Sequence, residues 1–226
     1  MKSEASNNST IAGDEAPSRR HGGLLRIGLA AAVGLLFLVS WTLRGSNSAI
    51  NERPPLPILG VAPNFALVER NGQPVSEKDL LGKVWLANFV FTRCLGPCPK
   101  LSLRMKSIQS SLGQAQKDVV LVSFTLDPTY DTPSVLQTYA RQYHAEKDRW
   151  WFLTCDDEAA MHRIVQEGFK QTVLRAAGAT RFDHSTYFLL VDQVGRIRAY
   201  YHGLEPESTA LILRDIDTLL HEPLPA

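Results

Sequence analysis

Two nearly continuous apolar runs, residues 84–91 (VWLANFVF) and 119–126 (VVLVSFTL), constrain this chain more than any other feature. Neither alternates polar with apolar residues, so each predicts a strand covered on both faces, as in a parallel sheet. Between them, Leu101, Met105, Ile108 and Leu112 recur at helical spacing, and Pro99 suits a first helical position. Parallel central strands are implied.

The flanking sequence predicts further elements of both kinds. Residues 64–68 and 73–75 flank Asn71-Gly72, a strong hairpin signal, and a helical turn follows over 77–81. Thr132-Pro133 reads as cap and first position of a helix to about residue 143. Then come a short strand over 151–153, a helix over 157–169, a hairpin from 186–192 and 197–201, and a closing amphipathic helix over 207–220. Strands alternating with helices and ending in a hairpin plus helix predict an α/β fold, a mixed sheet with helices on both faces, in one domain over residues 60–224.

The N-terminal third differs in character. Residues 1–23 are polar and predict a disordered tail on the cytoplasmic side, whereas residues 24–43 form an apolar run bearing only Arg26. Residues 27–43 carry no charge and, at about 1.5 Å per residue, span about 26 Å, close to the ~30 Å of a bilayer core. Arg26 and Arg44 bracket that stretch and Trp41 sits where an interfacial aromatic belongs, so a transmembrane helix is expected. Arg19, Arg20 and Arg26 precede it against a single Arg44 after it, which places the N-terminus in the cytoplasm. A cleaved signal peptide is the rival, with small residues over 46–49, but the apolar run is long for one. Residues 44–59, rich in Ser, Asn and Pro, read as a linker. A formal charge of +1 with no sustained run of Lys or Arg argues against a nucleic-acid partner.

Of three cysteines, Cys94 and Cys98 lie together in FTRCLGPCP, where a buried strand ends and a helix begins. Sheets of this kind place sites at the carboxyl ends of their parallel strands. A helix N-terminus favours thiolate, so both cysteines are expected to be unusually ionisable. Two soft thiolates fit Cu(I), zinc or an iron–sulfur centre, though a cluster wants four. The spacing also allows a redox dithiol, but thioredoxin-type oxidoreductases use CxxC, and the extra residue favours chelation. His184, in RFDHS, is the best third ligand, and Asp183 could fix its tautomer. The other histidines, His162 and His202 among them, read as solvated. Asp127 ends the second apolar run at the same sheet edge as the cysteines; it could tune the site or contact a partner, or else, with Asp131, organise the Pro128 turn and the helix start. Peroxidase chemistry would need a single peroxidatic cysteine, which the paired motif does not suggest.

Three segments in order, FTRCLGPCPKLSLRM, SFTLDPTYDTP and FDHSTYFLLVDQVGRIRAYY, closely resemble the Sco/SenC family of copper-binding proteins. The resemblance implies a thioredoxin-like fold and one N-terminal anchor in a bacterial inner membrane, with the soluble domain in the periplasm. It further implies copper, as Cu(I) and also Cu(II), held by Cys94, Cys98 and His184 with Asp127 nearby. The implied role is copper delivery to the CuA-bearing subunit of cytochrome c oxidase, with other periplasmic copper chaperones or thiol reductants as further partners. The alternative is a thiol–disulfide oxidoreductase acting on that subunit's copper-ligand cysteines. Cys155 departs from the family pattern, which usually carries glycine there.

Overall fold

The computed structural model describes residues 34, 35, 40, 54–113, 116–175 and 182–224, with only the backbone at 174, 175 and 182–184. The expected tail, anchor and most of the linker therefore lie outside the described residues, apart from Gly34, Leu35 and Ser40, which are helical. Among the described residues no helix is long and apolar enough to cross a membrane. Residues 1–53 and 54–226 form separate units, and the fold below is that of the second.

Among the described residues, ten strands run in chain order as β1 (Gly60–Val61), β2 (Ala66–Glu69), β3 (Pro74–Ser76), β4 (Val84–Val90), β5 (Val119–Thr125), β6 (Trp150–Thr154), β7 (Val173–Arg175), β8 (Phe182–His184), β9 (Tyr187–Val191) and β10 (Arg196–His202). Eight of them form one sheet in the order β1-β10-β9-β4-β5-β6-β2-β3, and β7 and β8 pair separately. The two apolar runs lie at its centre: β4 is parallel to β5 from Val84 opposite Val119 to Val90 opposite Thr125, and β5 is parallel to β6. The remaining pairings are antiparallel.

Why β4 fails to alternate is visible in its two sides. Val84 and Leu86 pack with Leu101, Met105 and Ile108 of α1 (Cys98–Ser111), Leu136 of α2 (Pro133–Gln142) and Ile212 of α4 (Ser208–His221). Trp85, Ala87 and Phe89 pack on the other face with Met161 of α3 (Glu158–Arg163) and with Val165 and Phe169 beyond it. Rings of Phe65, Phe89, Phe124 and Phe169 fill that second layer, with Phe124 and Phe169 centroids 5.1 Å apart.

The helix expected over 157–169 is instead α3 followed by a π turn, Ile164–Gly168. The Phe169 N–H reaches back five residues to the Ile164 carbonyl, 3.0 Å away. Contact with the preceding loop limits this segment, since a Cβ at Gly168 would stand 2.4 Å from Pro63 carbons. Helix α1 begins one residue earlier than expected, at Cys98. Strands β1, β7 and β8 are absent from the expected order because each is too short to show a period. The Asn71-Gly72 turn forms as expected: Gly72 takes φ +84° and Asn71 Oδ1 accepts the Gln73 N–H at 2.8 Å. At the far end of β10, a Cβ on Gly203 would lie 2.5 Å from Leu101 Cδ2 and 2.6 Å from the Thr186 carbonyl oxygen.

One buried cation fastens the two ends of this unit. The Arg198 guanidinium, on β10, donates to Asp192 Oδ2 (2.8 Å), to both Glu222 oxygens (3.0 Å each) and to the carbonyls of Leu56 and Pro57. Asp192 also accepts from the Arg196 N–H and side chain.

Candidate metal and thiol site

The chain leaves β4 at Val90, turns at residues 91–97 and starts α1 at Cys98. The Cys94 N–H donates to the Phe91 carbonyl at 3.1 Å, and the Leu101 N–H donates to that of Pro97 at 3.0 Å across the helix start at Cys98. Cys94 is 8% exposed and Cys98 is wholly buried, while Leu95 between them stands fully in solvent. The two thiols are hydrogen-bonded to each other.

That contact overturns the expectation of high ionisability at Cys98. The bond from Cys94 first, and burial second, push the Cys98 thiol well above its ordinary value. The positive end of α1 favours thiolate by a fraction of what burial and thiol–thiol bonding cost it. As the chain stands, Cys98 is a protonated, water-excluded thiol beside that of Cys94.

Both acids after β5 turn toward the cysteine loop. Asp127, almost fully buried, accepts from Arg93 Nε at 3.2 Å and Nη2 at 2.5 Å, and the Arg93 guanidinium lies 4.0 Å over the Tyr130 ring. Asp131, wholly buried, accepts from the Thr92 N–H (3.0 Å), the Thr92 hydroxyl (2.5 Å) and the Thr125 hydroxyl (2.5 Å). Burial raises the Asp131 carboxyl above the usual range against those bonds. Their backbones do build the Pro128 turn, with Tyr130 and Asp131 N–H donating to the Asp127 carbonyl. Arg93 and Thr92 were not picked out from the sequence; only the pairing of β4 with β5 brings them to residues more than thirty positions away.

His184 is placed by its backbone alone: it closes β8 opposite Val173, a residue buried in the same cluster as Cys94 and Cys98. The side chains of Asp183 and His184 lie outside the described residues. Among the described residues no three His, Cys, Asp or Glu side chains are grouped to hold a metal. Two cysteine sulfurs together are a soft donor pair that fits a soft cation, with loss of thiol protons on binding. Cys155 packs at the edge of the same cluster, its thiol 3.1 Å from the Asp157 carbonyl and its pKa raised by burial. Two histidines read as solvated are engaged: His162 Nε2 lies 2.9 Å from the Leu126 carbonyl, and His202 Nε2 lies 2.6 Å from the Tyr187 hydroxyl. Both contacts cross between elements, which sequence spacing does not reveal.

A sequence profile of the family described as SCO1/SenC matches residues 59–221. The chain belongs to the SCO1/SenC family. The SCO1 protein homolog of Bacillus subtilis is 32% identical over 152 residues, covering 67% of this chain and 79% of that protein. Among solved structures, BsSco, described as a member of the Sco family of cytochrome c oxidase assembly proteins with a disulfide switch, superposes with a TM-score of 0.67 at 29% identity. That match covers 75% of this chain and 99% of the other. Copper-bound ScoI of Bradyrhizobium japonicum shares the fold at a TM-score of 0.60 and 20% identity, over 70% of this chain and 99% of its own. The Sco fold of this chain is thus the expected thioredoxin-like mixed α/β fold.

Proposed function

We propose that this chain is a membrane-anchored copper metallochaperone that holds one copper ion through Cys94, Cys98 and His184 and delivers it to the CuA site of cytochrome c oxidase. The observation that carries the reading is the buried, mutually hydrogen-bonded thiol pair at the carboxyl end of a central parallel strand. Copper-bound ScoI and the oxidase-assembly role of BsSco support it by kinship.

Copper is cargo here. Its capture releases the thiol protons, so affinity falls as pH falls. The His184 imidazole is the third donor in this reading, and the backbone pairing of His184 with Val173, a residue of the cluster that holds both cysteines, supports it. Asp127 is neutralised by Arg93 and therefore serves the loop rather than the ion. A site of three donors stays open to an incoming thiolate of the CuA-bearing subunit, which gives transfer by ligand exchange. Residues 24–43 hold the domain, over 60–224, at the periplasmic face of the inner membrane, where donor and acceptor share one plane.

A second reading uses the same thiols as a dithiol reductant of the partner's copper-ligand cysteines, and their mutual hydrogen bond favours it, since two thiols in contact can close a disulfide. Titrating the reduced full chain, in detergent, with Cu(I) against a competing chelator separates the two. One-to-one binding lost in Cys94→Ala, Cys98→Ala and His184→Ala supports the metallochaperone; weak binding indifferent to His184→Ala sinks it in favour of the reductant.

A further inference from the structure

Asp131 precedes α2 and its cap residue Thr132, the position from which an acid commonly serves a helix start. Its carboxylate does something else. Oδ1 takes the Thr92 hydroxyl at 2.5 Å, and Oδ2 takes both the Thr92 N–H at 3.0 Å and the Thr125 hydroxyl at 2.5 Å. The Thr125 oxygen in turn accepts the Asp127 N–H at 3.1 Å. A wholly buried carboxylate is costly unless such bonds satisfy it, so the arrangement is specific to this one fold of the loop.

Thr92 is gripped by backbone and side chain together, two residues before Cys94, in the first turn after β4. Downstream of the loop, Cys98 is fixed by α1. The distance between the two sulfurs therefore depends on where residue 92 is held, because Cys98 has no freedom of its own. We infer that Asp131, acting through Thr92, is the positioning residue that sets the separation of Cys94 from Cys98. Its hydrogen bonds go to Thr92 and Thr125. This deepens the proposed function and rests on its premise that the two cysteines act as a pair.

Closing the pair oxidises two thiols to one disulfide with loss of two electrons and two protons, and oxidised dithiothreitol accepts both. The equilibrium constant of that exchange reads thiol separation directly, because a disulfide forms only within a narrow span of Cα distances. It should be measured on the full chain in detergent for the wild type, Thr92→Val, Thr92→Ser and Asp131→Asn, beside each thermal midpoint. Thr92→Val keeps the N–H bond and the side-chain shape, so it should fold even if Asp131→Asn does not. We expect Thr92→Val to shift the constant about tenfold, equivalent to about 30 mV, with Thr92→Ser restoring the wild-type value. A Thr92→Val constant within twofold of wild type, whatever its thermal midpoint, would overturn the positioning role and leave Asp131 a fold-stabilising acid. A wild-type chain that forms no Cys94–Cys98 disulfide and binds no Cu(I) would overturn the paired-cysteine premise itself, and this inference with it.

Discussion

At Gly203 the molecule has no room for a methyl group: Leu101 Cδ2 and the Thr186 carbonyl oxygen would lie 2.5 and 2.6 Å from it. Gly203→Ala should lower stability by about 1–3 kcal/mol, the usual cost of overpacking, as a shift of the urea midpoint. Cys98 is the other residue whose surroundings decide its behaviour. Its thiol is held protonated by Cys94 and by burial, so its alkylation by iodoacetamide in the native apo chain should be more than about tenfold slower at pH 7 than that of free cysteine. Mass analysis after timed quenching reads it; labelling at the free rate would show the pair to be open. That Cys94 and Cys98 belong together was legible from spacing alone. The protonated state of Cys98 was not, because sequence shows the helix terminus that lowers a thiol pKa but neither the burial nor the second thiol that raises it.

Among the elements, the parallel pair β4 and β5 organises everything else, and its two nearly continuous apolar runs announced it. Their pairing carries Asp131 to Thr92 and Asp127 to Arg93, contacts that depend on strand register and could not be read from sequence separation. The segment 157–169 shows the opposite limit. Its periodicity was helical, yet the close approach of Pro63 to Gly168 and the burial of Phe169 accompany a π turn. Helix α1 seats Leu101, Met105 and Ile108, all fully buried, against the sheet. Leu101→Ala should cost about 2–5 kcal/mol through lost contacts and the cavity left behind, measured by chemical unfolding of the apo chain. Because Leu101 lies within the first turn after Cys98, copper affinity should fall along with stability.

For the whole molecule, acid sensitivity follows from Asp192. Burial alone would raise its pKa, but bonds from the Arg196 N–H and from the Arg198 and Arg196 guanidinium groups outweigh it and set it below the ordinary carboxylate value. A depressed pKa contributes stability that is complete above the unfolded value of about 4 and is lost as pH falls through the lower folded one. Unfolding followed from pH 6 down to pH 2 should show this loss in the wild type, and Asp192→Asn should flatten that part of the curve while starting from a less stable protein. Removing the partner is harsher: Arg198→Ala leaves Asp192 buried without its main cation and should cost about 3–5 kcal/mol. The same guanidinium holds the carbonyls of Leu56 and Pro57 beside the amino end of β4, whereas Cys94 follows its carboxyl end. Seven residues of extended strand, about 23 Å, separate the two. A pull exerted through the chain ahead of Pro54 is therefore borne first by the Arg198 clasp and the two rungs of β1 on β10, at the opposite pole from the thiols. The Arg198 clasp and the cysteine loop thus stand at different ends of the sheet, so a force entering at Pro54 would fray β1 before it disturbed the loop that carries Cys94.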